Sequence, residues 1–323
     1  MNAAPAPAPA QAHAPTYDVV IVGGGPAGLA AALALGRANK DVLVCDAGPR
    51  RNAAAVHMHN FVTRDGIAPE AFRAEARAQL VAYPKVVFAA RADAGVAEIA
   101  GEKGDFRVAL ASGATVHARR ILLGTGLIDE LPAIEGFAAC WGQSVVQCPY
   151  CHGWESKGQA WGYLATAAHA DHLAMFALQL RGWTSDVTVF TNASSPPAAT
   201  LAAFEAGGVK VVTTPIARLL RAGDGPLEAI ELADGSRVPC ALLFAHPPQR
   251  QVPLVTALGV ALDGDGFVAV DPMRRETSVP GIYAAGDLTT RMQAAIAAAA
   301  AGMQAAAALN AELTLERVLA GAL

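Results

Sequence analysis

Tyr17-Asp18-Val19-Val20-Ile21-Val22-Gly23-Gly24-Gly25-Pro26-Ala27-Gly28 is the stretch that decides the fold of this 323-residue chain. Residues 17–22 form a continuous apolar run, the pattern of a parallel strand covered on both faces. The glycines that follow are G-x-G-x-x-G, with Gly23, Gly25 and Gly28 as the fixed positions. A helix is predicted from Leu29 to Arg37, then a second strand from Asp41 to Cys45, closed by Asp46. Each part has a physical task. The first glycine makes the turn, the second lets backbone approach a pyrophosphate, and the third packs helix on strand. The helix N-terminus faces the phosphates, and the acid accepts from ribose hydroxyls. Glycines alone are a weak signal; strand, glycines, helix, strand and acid in register are a strong one.

The composition agrees with an α/β protein of two domains. Hydrophobic residues make up 53% and charged residues 16%, with 31 Gly and 20 Pro to supply turns. A net charge of −4 without a basic run longer than two residues argues against a nucleic-acid partner. The Ala/Pro alternation at the N-terminus reads as a disordered tail over residues 1–15 and not as a secretory signal. The longest apolar stretch, Ala294 to Ala301, is weakly hydrophobic alanine, so no membrane span is expected. Five cysteines, an odd number, do not make an extracellular disulfide framework. They suit a cytoplasmic protein in which one close pair does chemistry.

A second segment, Thr277-Ser278-Val279-Pro280-Gly281-Ile282-Tyr283-Ala284-Ala285-Gly286-Asp287, resembles the FAD-contacting strand of thioredoxin reductases and related disulfide oxidoreductases. Gly124-Thr125-Gly126, after a strand at Arg120–Leu123, is similar to the same family where the chain leaves the FAD domain. The resemblance runs from about Tyr17 to Asn310 and implies two Rossmann-like, three-layer ββα dinucleotide-binding domains. It divides the chain into an FAD domain at 16–126 and 246–323 and an inserted domain at 127–245. It implies that Gly286 and Asp287 contact the FAD ribityl or phosphate region. It places Gln293 where the following helix points its N-terminus at the flavin pyrimidine edge, and it implies a homodimer.

Gln147-Cys148-Pro149-Tyr150-Cys151-His152-Gly153-Trp154-Glu155 carries the candidate chemistry. C-x-x-C allows a disulfide across a small loop, proline stiffens that loop, and a helix opening there would lower a thiol pKa. Zinc is the competing reading, but only one C-x-x-C pair exists, so no metal site is expected. The resemblance implies that Cys151 faces the flavin and Cys148 the substrate. His152 stands where thioredoxin reductases usually carry aspartate; an imidazole there suits proton transfer near neutral pH, with simple packing as the other reading. His57 and His59 read as ordinary loop residues, with an approach to flavin or substrate as the second possibility. His246 reads as structural, and Cys45, Cys140 and Cys240 receive no chemistry.

A reductase needs a nicotinamide site in its inserted domain. The βαβ frame is predicted there: strand Gln159–Leu164, helix Ala168–Arg181, strand Asp186–Phe190. The fingerprint is replaced by Ala165-Thr166-Ala167-Ala168-His169-Ala170, and Thr191-Asn192-Ala193-Ser194 offers neither a ribose-binding acid nor a 2′-phosphate-binding arginine. This combination resembles the FAD-dependent dithiol oxidases that close disulfides in gliotoxin, holomycin and romidepsin-type depsipeptides. The shared segments are Cys151-His152-Gly153-Trp154-Glu155, Arg51-Asn52 and Thr63-Arg64-Asp65-Gly66; Asn52 is counted with the cofactor residues on this basis. The expected activity is oxidation of a small-molecule dithiol, with molecular oxygen reduced to hydrogen peroxide. The alternatives are an NAD(P)H-dependent disulfide reductase and a flavin-binding redox sensor without turnover.

Overall fold

The computed structural model describes residues 14–47, 50–165 and 170–322. The expected tail lies outside the described residues up to residue 13. From the N-terminus the chain forms β1 (Thr16–Val22), α1 (Pro26–Arg37), β2 (Val42–Cys45), α2 (Pro69–Leu80) and β3 (Val86–Phe88). Then come β4 (Val96–Glu102), β5 (Asp105–Leu110), β6 (Thr115–Leu123), β7 (Ile128–Asp129), α3 (Phe137–Cys140), β8 (Val145–Val146), α4 (Pro149–His152) and β9 (Trp161–Leu164). These are followed by α5 (Ala170–Leu180), β10 (Val187–Phe190), α6 (Ala198–Ala206), β11 (Lys210–Val212), β12 (Ile216–Arg221), β13 (Leu227–Leu232), β14 (Arg237–Pro239) and β15 (Leu242–Ala245). The chain ends with β16 (Gln249–Arg250), α7 (Pro253–Ala257), β17 (Ile282–Ala284) and α8 (Ala295–Leu319).

The described residues form two compact units, each Rossmann-like. The first holds 14–47, 76–126 and 251–322; the second holds 50–75 and 127–250. The domain bounds expected from the resemblance place 50–75 with the first FAD segment and the return at 246; by their contacts 50–75 and 246–250 group with the inserted unit.

In the first unit the sheet order is β3-β2-β1-β6-β5-β4, with β17 against the C-terminal half of β6. Val22 pairs with both Cys45 and Leu123, and Ala284 pairs with Leu123, so four parallel strands end level. The turns beyond that edge hold Gly23, Asp46, Gly124 and Gly286. Binding groups collect at the carboxyl edge of such sheets because the loops and helix N-termini gather there. α8 packs on α1 with backbones nearly touching: a Cβ at Gly302 would lie 2.0 Å from the Ala27 carbonyl oxygen. The buried Arg120 side chain on β6 pairs with Glu312 and Glu316 of α8. Burial alone would raise the Glu312 carboxyl, but Lys103, Tyr283 and Arg120 hold it down at about 2.

In the second unit the parallel sheet runs β11-β10-β9-β15-β8, with a separate antiparallel sheet β12-β13-β14. Leu164 pairs with Phe190 and with Ala245, so these three strands also end level. Trp161, Tyr163 and Phe244 fill the core beneath α5 and α6, each under 3% exposed. Among the described residues no helix is long and apolar enough to cross a membrane.

Candidate active site

The first glycine turn is built as its spacing predicts. Gly23 has φ +110°, and a Cβ there would meet the Gly124 carbonyl oxygen at 2.2 Å. A Cβ on Gly28 would lie 1.9 Å from the Gly23 oxygen, so this glycine is what lets α1 sit on β1. Gly25 is different: it caps α1 with an ordinary φ of −78°, and a Cβ there would meet no protein atom within 4 Å. Among the described residues nothing demands a glycine at 25, and an approach from outside is the physical reason that fits one. Asp46 lies against the same turn, since a Cβ on Gly24 would come within 2.7 Å of its carboxylate. Gly286, with φ +94°, brings the Asp287 turn to the N-terminus of α1; its Cβ would stand 3.1 Å from that of Ala27. Arg275 and Gln251 grip this turn by Thr289 Oγ1 (2.7 Å) and the Leu288 oxygen (3.1 Å). Arg275 Nε and Gln251 Oε1 are buried without a protein partner. The open face at Gly25, the acid at 46 and these unmatched atoms fit a bound dinucleotide. Gly124, Thr125 and Gly126 close the same edge, and Gln293 precedes α8 with its amide turned to the Thr290 oxygen (3.3 Å). Asn52 belongs to the second unit.

Cys148 and Cys151 are joined as a disulfide, Cα atoms 5.3 Å apart, within the usual range. The helix expected to open here is a single turn, with Cys148 at its N-cap and Cys151 inside it. One turn carries a small dipole, so helix-end activation of the thiol is weak. Positioning comes from packing instead. Tyr150 meets Trp183 edge-on at 5.4 Å, and Trp183 leans on Trp161. Gly153 must be glycine, because a Cβ would lie 2.5 Å from the Pro149 oxygen and 2.9 Å from Trp161.

Gln147, just before the pair, is held from both ends. Arg51 makes a two-pronged bond to Asp129, both contacts 2.8 Å, and donates to Gln147 Oε1 at 2.8 Å. Such a fork fixes direction as well as distance. His246 Nε2 lies 3.1 Å from the Gln147 oxygen. His152 is set beside the disulfide with Nδ1 buried and unpartnered. Burial lowers its pKa, Glu155 opposes that, and His59 adds to it. It is therefore a neutral imidazole at neutral pH, with a free ring nitrogen able to take a proton.

The second unit also has a carboxyl-edge cavity, ≈ 290 Å³, bounded by Leu164 and Ala165 after β9, Thr191 to Ser194 after β10, and His246 after β15. Thr191 Oγ1 donates to the Ser194 oxygen and Ser194 Oγ to the Thr191 oxygen, both at 2.5 Å. Asn192 Oδ1 accepts from the Ile216 amide at 3.0 Å. The polar groups after β10 are thus turned inward on their own loop. The replaced fingerprint at 166–169 lies outside the described residues. Burial pushes the Cys45 and Cys240 thiols up to about 12, in line with no chemistry at either.

The sequence pattern of the family described as pyridine nucleotide-disulphide oxidoreductase matches residues 17–302. This chain belongs to that family. Within it the chain is thioredoxin-reductase-like, an oxidoreductase of flavoprotein type. It is 36% identical to thioredoxin reductase tcpT of Claviceps purpurea over 84% of this chain and 86% of that one. It is 32% identical to thioredoxin reductase sirT of Leptosphaeria maculans, over 91% and 93%. Among solved structures it is similar to HlmI, with TM-score 0.86 and 36% identity over 94% of each chain. An oxidoreductase from Agrobacterium tumefaciens gives TM-score 0.84 and 38% identity over 93% of this chain and 99% of that one.

Against this family frame, the sequence reading missed residues that reach the cysteine pair from afar. Arg51 and Asp129 are 78 positions apart, and His246 is 99 from Gln147. Asn60 Nδ2 donates to the Tyr150 oxygen inside the C-x-x-C turn at 2.6 Å. The Arg51-Asn52 and Thr63-Arg64-Asp65-Gly66 segments were the available signal. In the sequence they are only shared patterns, because nothing local says what they touch.

Proposed function

We propose that this protein is an FAD-dependent dithiol oxidase that closes a disulfide within a small-molecule dithiol, with molecular oxygen taking the electrons to give hydrogen peroxide. The observation that carries this reading is a complete cysteine pair with a neutral buried imidazole, beside a dinucleotide edge whose polar groups are spent on their own loop. Gly23, Gly25, Gly28, Asp46, Gly124, Thr125, Gly126, Gly286 and Asp287 would hold FAD in the first unit, with Gln293 completing its contacts there; a cofactor role for Asn52 rests on the family resemblance alone. Bound there, FAD supplies the two-electron acceptance that renews the disulfide and the reaction with oxygen.

The protein's own part is exchange. A substrate thiolate attacks Cys148, forming a mixed disulfide and releasing Cys151. The second substrate thiol resolves it, and the product leaves with a new S–S bond. His152 takes the proton of the attacking thiol, since its Nδ1 has no other partner. Arg51 and His246 keep Gln147, and with it Cys148, in place. The family resemblance extends the reading to a cytoplasmic homodimer.

The names of the relatives favour a second reading, an NAD(P)H-dependent disulfide reductase. Purified yellow protein with dithiothreitol in air separates the two. Oxygen uptake with peroxide, and no need for a nicotinamide, is the expected result. Rapid anaerobic bleaching by micromolar NADPH, with no peroxide from the dithiol, would restore the reductase. Absence of turnover with either would leave a flavin-binding sensor.

A further inference from the structure

Asp46 follows the last residue of β2, and its place in the chain leaves open which way its carboxylate turns. A hold comes from 31 positions away. Arg77, in the last turn of α2, brings Nη2 to 3.3 Å from Asp46 Oδ2. An ion pair at a surface usually contributes little, because two flexible side chains must be ordered to make it. Here both are ordered by other contacts. The Asp46 side chain is 12% exposed and lies against the Gly24 turn. The Arg77 guanidinium carbon stands 4.3 Å from the centre of the Phe88 ring, within the reach of a cation–π contact.

Phe88 is fixed in its turn. It closes β3, pairs in register with Val44 of β2, and packs against the hydrophobic core of the first unit. Beyond it the Ala89 amide donates to the Val44 oxygen at 2.9 Å. A line of support therefore runs from the core through the Phe88 ring, the Arg77 guanidinium and the Asp46 carboxylate to the glycine turn. All four parts belong to the first unit. A planar guanidinium can lie on a ring and donate in its own plane at the same time, so it fixes direction where an ammonium fixes only distance. A carboxylate accepts at both oxygens, so a bond from Arg77 orients Asp46 without exhausting its capacity.

We propose that Arg77 is a positioning residue of the first dinucleotide edge: stacked on Phe88, it turns Asp46 to accept from the ribose hydroxyls in the adenosine half of FAD. The proposal rests on the assignment of FAD to this edge given above. Arg77 has no part in the dithiol exchange. It sets how tightly the cofactor is held and makes the edge sensitive to the 2′-hydroxyl.

The test uses the full-length protein freed of flavin and titrated with FAD by quenching of flavin fluorescence, with ADP and 2′-deoxyADP as competitors. Wild type is expected to prefer ADP. Arg77→Ala should weaken FAD and ADP roughly fivefold and bring the two competitors close to equal, with 2′-deoxyADP little changed. Collapse of the ribose preference is a readout that general damage would not give. Arg77→Lys, which keeps the charge and loses the flat stack, should recover part of the preference. Phe88→Leu should act as a weaker Arg77→Ala and add nothing in the double variant, because the ring works through the guanidinium. Should Arg77→Ala not fold, Arg77→Lys and Phe88→Leu carry the same expectation of a reduced preference. An Arg77→Ala protein with the wild-type preference overturns the proposal, and so does an equal loss of both competitors. A wild type that binds FAD but does not distinguish ADP from 2′-deoxyADP also overturns it and leaves the FAD assignment standing. A wild type that binds neither FAD nor ADP sinks that assignment, and the role of Arg77 with it.

Discussion

The two units end their parallel strands in the same way and furnish the resulting edge differently. After β1 in the first unit, Gly25 leaves an open face, Asp46 stands beside the turn, and the Asp287 turn is brought alongside. After β10 in the second, Thr191 and Ser194 bond each other's backbone and Asn192 caps Ile216, so the loop satisfies itself. A βαβ frame is thus no evidence for a bound dinucleotide; an open backbone face such as that at Gly25, with the unmatched buried atoms Arg275 Nε and Gln251 Oε1 by the adjoining turn, is the better sign. In the proposed reading, the second unit's chemistry lies elsewhere, at Cys148 and Cys151.

Several substitutions bear on that contrast, and the largest effect belongs to the first turn. Gly25→Val should remove essentially all bound FAD while the first unit still folds, because a Cβ at 25 meets no described protein atom within 4 Å. A yellow Gly25→Val protein at wild-type FAD content would erase the difference between the two edges. Next comes loss of turnover in the second unit. Cys148→Ser should abolish dithiol oxidation and leave the Cys151 thiolate giving a long-wavelength charge-transfer absorption with oxidised flavin. Cys151→Ser should abolish turnover without that band. Reversed spectra would exchange the roles of the two cysteines.

The nicotinamide comparison is expected to be smaller but still large. Anaerobic bleaching by NADPH should be about a hundredfold or more slower than by a dithiol, roughly 3 kcal/mol of absent recognition. Equal rates would mean that the second edge works after all. His152→Ala should slow reduction and change its pH profile. The wild-type rate should fall as pH drops through the lowered His152 pKa, where the imidazole becomes charged and can no longer accept a proton. An unchanged profile would reduce His152 to packing. The smallest effect is Thr191→Val, which removes one internal bond of the second edge. It should cost about 1 kcal/mol in denaturant unfolding and leave dithiol turnover intact.

What the sequence determined by itself is whatever depends on neighbours along the chain. The strand at 17–22, the three glycines, the acid at 46 and the C-x-x-C loop each follow from spacing, because a turn or a short disulfide ring is fixed by the residues inside it. Gly25 was legible for the same reason. Its counterpart fact, that Thr191 and Ser194 turn inward, was half legible: their types rule out an acid or arginine, but not which way a hydroxyl points. Tertiary structure alone decided that 50–75 joins the second unit, that His59 stands against Glu155, and that Arg51 reaches Asp129 and Gln147. Those pairs lie 96, 78 and 96 positions apart for His59–Glu155, Arg51–Asp129 and Arg51–Gln147. No local propensity encodes such a meeting. It is chosen when the packing of the second unit fixes where a loop must go, and the loop's polar groups then find partners within reach.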